Sequence, residues 1–174
     1  MLQSSSQGAL LRHVLQVFTG SDALTFRKPH PVLGQLDTVK QPGRSALLRF
    51  IVGAYFQNIR KGDQLVVDQC PLCEEKWQYP TIHLFGNCTD SAIYTARQSW
   101  LKDGGIYTPN EWTYKYIAES LGIGSNQLPH RLLSSAKFAL SISNALASVY
   151  KKRCSPVTIR HKTGAEYCVP SQEL

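Results

Sequence analysis

Acidic side chains are scarce in this chain. Only 12 Asp and Glu stand against 19 Lys and Arg among 174 residues, and charged residues of both signs make up 18% of the whole. The net charge of +7 argues for an anionic partner, most simply RNA or DNA, while saying nothing of the fold. An uninterrupted apolar run long enough to span a bilayer is also lacking, so no membrane is expected among the partners. Catalytic signatures are missing too. There is no phosphate-cradling P-loop, no GxSxG elbow and no paired Asp of a polymerase palm, and Ser, His and Asp occur scattered rather than in a triad-like grouping. Glu74-Glu75-Lys76 is the one acidic cluster that suggests a metal-dependent nuclease, and it has no upstream Asp partner. The chain is therefore not expected to be an enzyme. The five cysteines are an odd number, so disulfides cannot pair them all. With 43% hydrophobic residues the composition still supports one or two modest cores rather than disorder, with one domain as the default.

Four of the candidate metal donors fall within nineteen residues. Residues 70–88 read Cys70-Pro-Leu-Cys73, nine residues, His83, four residues, Cys88. A two-residue gap lets both sulfurs reach one ion from a tight turn, and a Cys3His set satisfies the tetrahedral preference of Zn2+. One structural zinc is expected, with no open position for water or substrate. The rival readings are buried, metal-free thiols or a redox CxxC, and the latter lacks its usual strand-and-helix context. Asn87-Cys88-Thr89 matches a glycosylation sequon but falls inside the ligand loop, and we read the match as coincidence. Cys154, Cys168 and His161 have no spacing that suggests a second site.

Charge is unevenly placed. Basic residues outnumber acidic ones 8 to 4 over residues 1–69 and 7 to 2 over 131–174, whereas the middle carries 4 against 6. Three thiolates around one Zn2+ would add a further negative charge there. Phosphate contacts are therefore expected from the flanks: Lys151, Lys152, Arg153, Arg160 and Lys162, with Arg27 and Lys28 as lesser candidates. The bland alternative for Lys151 to Arg153 is the end of a helix, where cations complement the macrodipole.

Periodicity supplies the rest. Leu10, Leu11, Val14, Leu15 and Phe18 share one face of an N-terminal amphipathic helix in a segment without acids, which also has some character of an organellar presequence. Residues 45–60 read as a core helix through Leu47, Leu48, Ile51, Val52, Tyr55, Phe56 and Ile59. Residues 64–69 and 80–83 would form the arms of a hairpin-like zinc loop. Trp77 and Tyr79 would sit at its tip, either covering the metal or stacking on unpaired bases. Asp90 would cap a helix with Ile93, Tyr94, Arg97, Trp100 and Leu101, stopped by Gly104-Gly105. Thr108-Pro109-Asn110-Glu111 reads as a capping box opening a helix that ends at Leu121-Gly122. The longest helix is predicted from about Pro129 to Arg153, with Leu132, Leu133, Ala136, Ala139, Leu140, Ser143, Ala147 and Tyr150 on its core face. A short basic β-hairpin is expected around residues 157–169. The expected fold is mainly α: an N-terminal helix and loop over 1–43, a small helical domain built around the Cys3His zinc loop over 44–153, and a basic tail over 154–174.

The succession of Leu47, Leu48 and Phe50 on a helix, then Cys70-Pro-Leu-Cys73, then Thr81-Ile-His83-Leu-Phe-Gly-Asn-Cys88 and a further helix resembles a known arrangement. It is similar to the zinc-binding region downstream of reverse transcriptase domains in non-LTR retrotransposons, over about residues 44–103. The resemblance implies Cys70, Cys73, His83 and Cys88 as ligands and a role in binding nucleic acid. Pro80 stands where the family usually has Glu, and the spacing before His83 differs by one residue. The expected function is thus a non-catalytic zinc protein that binds RNA or DNA through its basic flanks. The alternatives are a structural subunit of a ribonucleoprotein such as an organellar ribosome, or a protein-binding zinc module. An intracellular site, nuclear or mitochondrial, would suit these readings.

Overall fold

The longest helix organises the molecule. A computed structural model of the protein describes residues 10–14, 31–53, 69–124, 128–153, 159–160 and 166–167. Residues 10–14 are helical. They are followed by α1 (Pro31–Leu36), α2 (Gly43–Val52), α3 (Pro80–Ile82), a π-helical segment (His83–Asn87), α4 (Ser91–Gly104), α5 (Tyr114–Ser120) and α6 (Pro129–Arg153). Two-residue strands β1 (Ile159–Arg160) and β2 (Glu166–Tyr167) close the order and pair antiparallel, as expected for the tail.

Helix α6 packs along α4 and α2. It buries Leu132, Ala136, Phe138, Ala139, Ile142 and Leu146. Its core face is turned from the expected one: Leu133 is largely exposed, and Phe138 and Ser135 take inward positions. The Ser135 hydroxyl accepts the indole N–H of Trp100 at 2.9 Å and donates to the Arg131 carbonyl at 2.8 Å, which is why a serine is tolerated at full burial. At the N-terminus of α2, Gly43 lies so near Ala136 that an added Cβ would stand 3.5 Å from its methyl. The span Pro129–Val149 is long and apolar enough, by those two measures alone, to cross a membrane. A buried core helix meets the same measures, and α6 is the helix on which α2 and α4 rest.

Other boundaries follow local chemistry. Helix α2 ends at Val52, because Gly53 adopts φ 72° and turns its N–H back to the Phe50 carbonyl. The expected continuation beyond residue 53 overlooked that cap, and Val52 is exposed; Tyr55, Phe56 and Ile59 lie outside the described residues. Asp90 caps α4 as expected, accepting from the Ala92 and Ile93 amides at 3.1 Å, and Gly105 ends the helix with φ 62°. Tyr94, expected on the core face, is exposed. Helix α5 does not begin at the Thr108 capping box. Thr113 is its N-cap, accepting from the Tyr116 amide at 3.1 Å. The reason is Trp112, whose ring is buried against Trp100 at 5.9 Å and holds the preceding chain out of helical geometry. Leu10 and Val14, one helical turn apart, are buried as their spacing predicts, while Leu15 and Phe18 lie outside the described residues.

Candidate metal centre

The four expected ligands converge. The Sγ atoms of Cys70, Cys73 and Cys88 and one ring nitrogen of His83 all lie within 4.8 Å of one another. Cys70 Sγ and Cys88 Sγ are 3.9 Å apart, and Cys73 Sγ is 3.2 Å from His83 Nε2. A sulfur pair at that distance is far beyond the roughly 2.05 Å of a disulfide. It matches the edge of about 3.8 Å that two Zn–S bonds of about 2.3 Å subtend in a tetrahedron. Cys70, Cys88 and His83 are buried, and Cys73 is partly exposed. The residues therefore fit a zinc ion, and with four protein donors the shell is closed.

Two different turns bring the donors together. On the first, the Cys70 carbonyl accepts the Glu74 amide at 2.8 Å, and the Cys70 amide donates to the Glu75 carbonyl at 2.8 Å. These bonds wrap the chain around the Cys70 and Cys73 sulfurs, and Gln69 and Lys76 form a single antiparallel bridge at the base. Closing so tight a loop places Glu74 at φ 65°, a left-handed conformation unusual for a residue with a side chain.

The second turn corrects the hairpin expectation, since the return to His83 is helical rather than extended. Pro80 occupies the first turn of α3, where its missing N–H costs nothing. The chain then widens into the π-helical segment, and the Cys88 amide donates to the His83 carbonyl at 2.7 Å. In an α-helix two residues five apart point about 140° away from each other. Closing the turn from residue i to i+5 instead brings His83 and Cys88 to one side, so the x4 spacing becomes a ligand pair.

Widening the helix leaves carbonyls that Arg97 satisfies. From the buried face of α4, its Nε donates to the Phe85 carbonyl at 2.8 Å and its Nη2 to the Cys88 carbonyl at 3.0 Å. Arg97 as a whole is 6% exposed. Burial lowers the pKa of its guanidinium, and the nearby Cys88 opposes that shift by favouring the cation. An isolated buried cation is costly, so this placement makes sense beside negative charge. Zn2+ with three thiolates and a neutral imidazole would carry one negative charge, which Arg97 would balance. In the thiols themselves, the hydrogen bond between them holds Cys70 down to about 4 and pushes Cys88 up, so without a metal the two share one proton.

Aromatic rings close the periphery. Trp77 stands edge-on to His83 at 5.4 Å, which is the covering role weighed for it in the sequence. Tyr79 is partly exposed and meets Tyr114 edge-on at 6.3 Å. Phe85 contacts Phe50, Trp100 and Phe138 at 5.3 to 5.6 Å, tying the ligand loop to α2, α4 and α6.

No family model, curated protein or solved structure matches the chain. Of the basic residues singled out in the sequence, Lys151, Lys152 and Arg153 form the last turn of α6, and Arg160 lies in β1 in register with Glu166. Arg27, Lys28 and Lys162, like Cys154, His161 and Cys168, lie outside the described residues. Sequence reasoning missed the service Arg97 gives to the ligand loop and the placement of Trp112. The first had a signal: positions 93, 97, 100, 101 and 104 share one helical face, and an arginine interrupts that apolar stripe.

Proposed function

We propose that this chain is a non-catalytic zinc-binding protein that holds RNA or DNA through its basic ends. The observation that carries the metal part is the convergence of three sulfurs and one imidazole nitrogen within 4.8 Å, most of them buried. A closed donor set offers no position at which a metal-bound water could be activated, so the ion serves as a staple. It joins the Cys70 to Cys73 turn to the π-helical segment, and through Arg97 and Phe85 to the helical core.

The nucleic-acid part is supported by charge. The chain carries +7, its basic excess lies in the two ends, and Arg97 already offsets the charge of the zinc centre. Lys151, Lys152, Arg153, Arg160 and Lys162 are the phosphate-contacting candidates, with Arg27 and Lys28 secondary. The likeness to retroelement zinc regions rests on the ligand pattern and agrees with this reading. An intracellular location and the absence of a membrane partner follow from the same proposal.

The test is a salt titration of binding. Zinc-loaded protein is titrated with labelled single-stranded RNA and duplex DNA between about 50 and 200 mM salt, where several phosphate contacts give a steep loss of affinity. Replacing Lys151, Lys152 and Arg153 with Ala lowers the slope of log K against log salt by about 2 to 3, given about 0.7 to 0.9 per contact. Undiminished binding and an unchanged slope in the triple variant contradict the assignment.

A further inference from the structure

Beside the metal centre, the segment at 10–14, the ligand loop and the approach to α5 line an open cavity of about 590 Å³. Its walls include His13, Tyr79, Asn87, Asn110, Trp112 and Tyr114. That volume lies in the range of small-ligand sites rather than of a trapped water. The wall chemistry narrows the ligand. His13 and Tyr114 lie parallel, 6° apart with centroids at 6.4 Å, and Tyr79 stands at 83° to Tyr114. Parallel faces and a perpendicular edge favour a planar π-system, which stacks on one ring and meets the edge of another. The two asparagines add donors and acceptors of the kind that match the hydrogen-bonding edges of a base. His13 is held by stacking, and its Nδ1 has no hydrogen-bond partner among the described residues, unusual for a buried nitrogen.

We propose that this cavity is a binding site for a single unpaired nucleobase, stacked on Tyr114 or Tyr79 and read at its edge by Asn87 and Asn110. The proposal deepens the nucleic-acid reading and rests on it: the basic ends hold the phosphates, and the cavity takes one base out of the strand. A duplex cannot present a base in this way without unpairing it, so the site selects single strands. It draws its walls from the zinc loop through Tyr79 and Asn87, which makes base binding depend on the metal.

The test uses the full zinc-loaded chain and two probes. In NMR titrations, adenosine monophosphate is expected to shift the Trp112 indole and Asn110 amide signals, and ribose 5-phosphate, which has no base, to leave them in place. For a 12-residue single strand, Tyr79→Ala and Asn110→Ala, both at exposed positions, are the variants. Tyr79→Ala weakens binding between roughly fivefold and a hundredfold, the range for losing one base stack, with the salt slope unchanged. Asn110→Ala weakens it less. If adenosine monophosphate shifts nothing and both variants bind as tightly as the parent, the cavity proposal is overturned, even where the Lys151, Lys152 and Arg153 variant still loses binding. If the mononucleotide binds and the strand does not, the cavity stands and the basic-end reading falls.

Discussion

Glu74 is the only residue other than glycine at positive φ among the described residues, and it stands directly after a metal ligand. The left-handed conformation costs a residue with a Cβ about 1 to 2 kcal/mol, and glycine avoids that while losing about 0.5 to 1 kcal/mol of unfolded-state freedom. Glu74→Gly is therefore expected to stabilise the zinc-loaded chain by about 0.5 to 1 kcal/mol, read as a higher denaturation midpoint. A loss of stability would show that the Glu74 side chain does more than occupy the turn. The paired thiols give a second prediction, for the chelated chain held folded in sodium sulfate. Cys70 falls from its ordinary 9.0 to about 4 on folding, so between those values the folded form binds fewer protons and stability rises with pH. Cys88 is shifted upward from the same value, so above 9 the unfolded form loses the more protons and stability falls. Thermal melts of the metal-free chain should peak near pH 9, and a continued rise through pH 10 would contradict the shared proton.

Among the elements, the π-helical segment was the least legible in the sequence. The ligand types and spacing were visible, but the x4 gap between His83 and Cys88 does not reveal how it is bridged. A proline before a β-branched pair reads equally as an extended arm, and only the i to i+5 closure distinguishes them. The same holds at α5: Thr108 to Glu111 satisfies a local capping rule, and burial of Trp112 overrides it through a contact with Trp100 that is distant in sequence. Helix α4 was legible because its caps and periodicity lie within the element, and α6 because of its periodicity, although residue spacing alone turned the face of α6 by about one position. Gly86 is where the segment meets that misplaced tryptophan. A Cβ there would come within 2.2 Å of Trp112 Cγ and 2.5 Å of Cδ2, and the ring is wedged against Trp100. Gly86→Ala is expected to destabilise by about 2 to 3 kcal/mol, as overpacking does. Adding Trp112→Leu should recover part of the loss in a denaturation series; independent, additive effects would mean the methyl meets something else.

For the molecule as a whole, the candidate ligand loop is integral to the core. Phe85, between the ligands His83 and Cys88, packs on α2, α4 and α6, and Arg97 reaches from α4 into the carbonyls of the ligand loop. Metal binding and folding are coupled in such an arrangement, since the site exists only when the helices are packed and the loop only when its donors are gathered. On the proposed reading, the ion would hold together the scaffold that carries the aromatic cavity. The most direct test of this account is the metal content of purified protein by elemental analysis, with thiol counting and X-ray absorption at the zinc edge. The account predicts one zinc per chain in a three-sulfur, one-nitrogen shell, lost together with cooperative unfolding when His83 or Cys88 is replaced by Ala. A chain that is fully folded without metal, and whose stability zinc leaves unchanged, would contradict it.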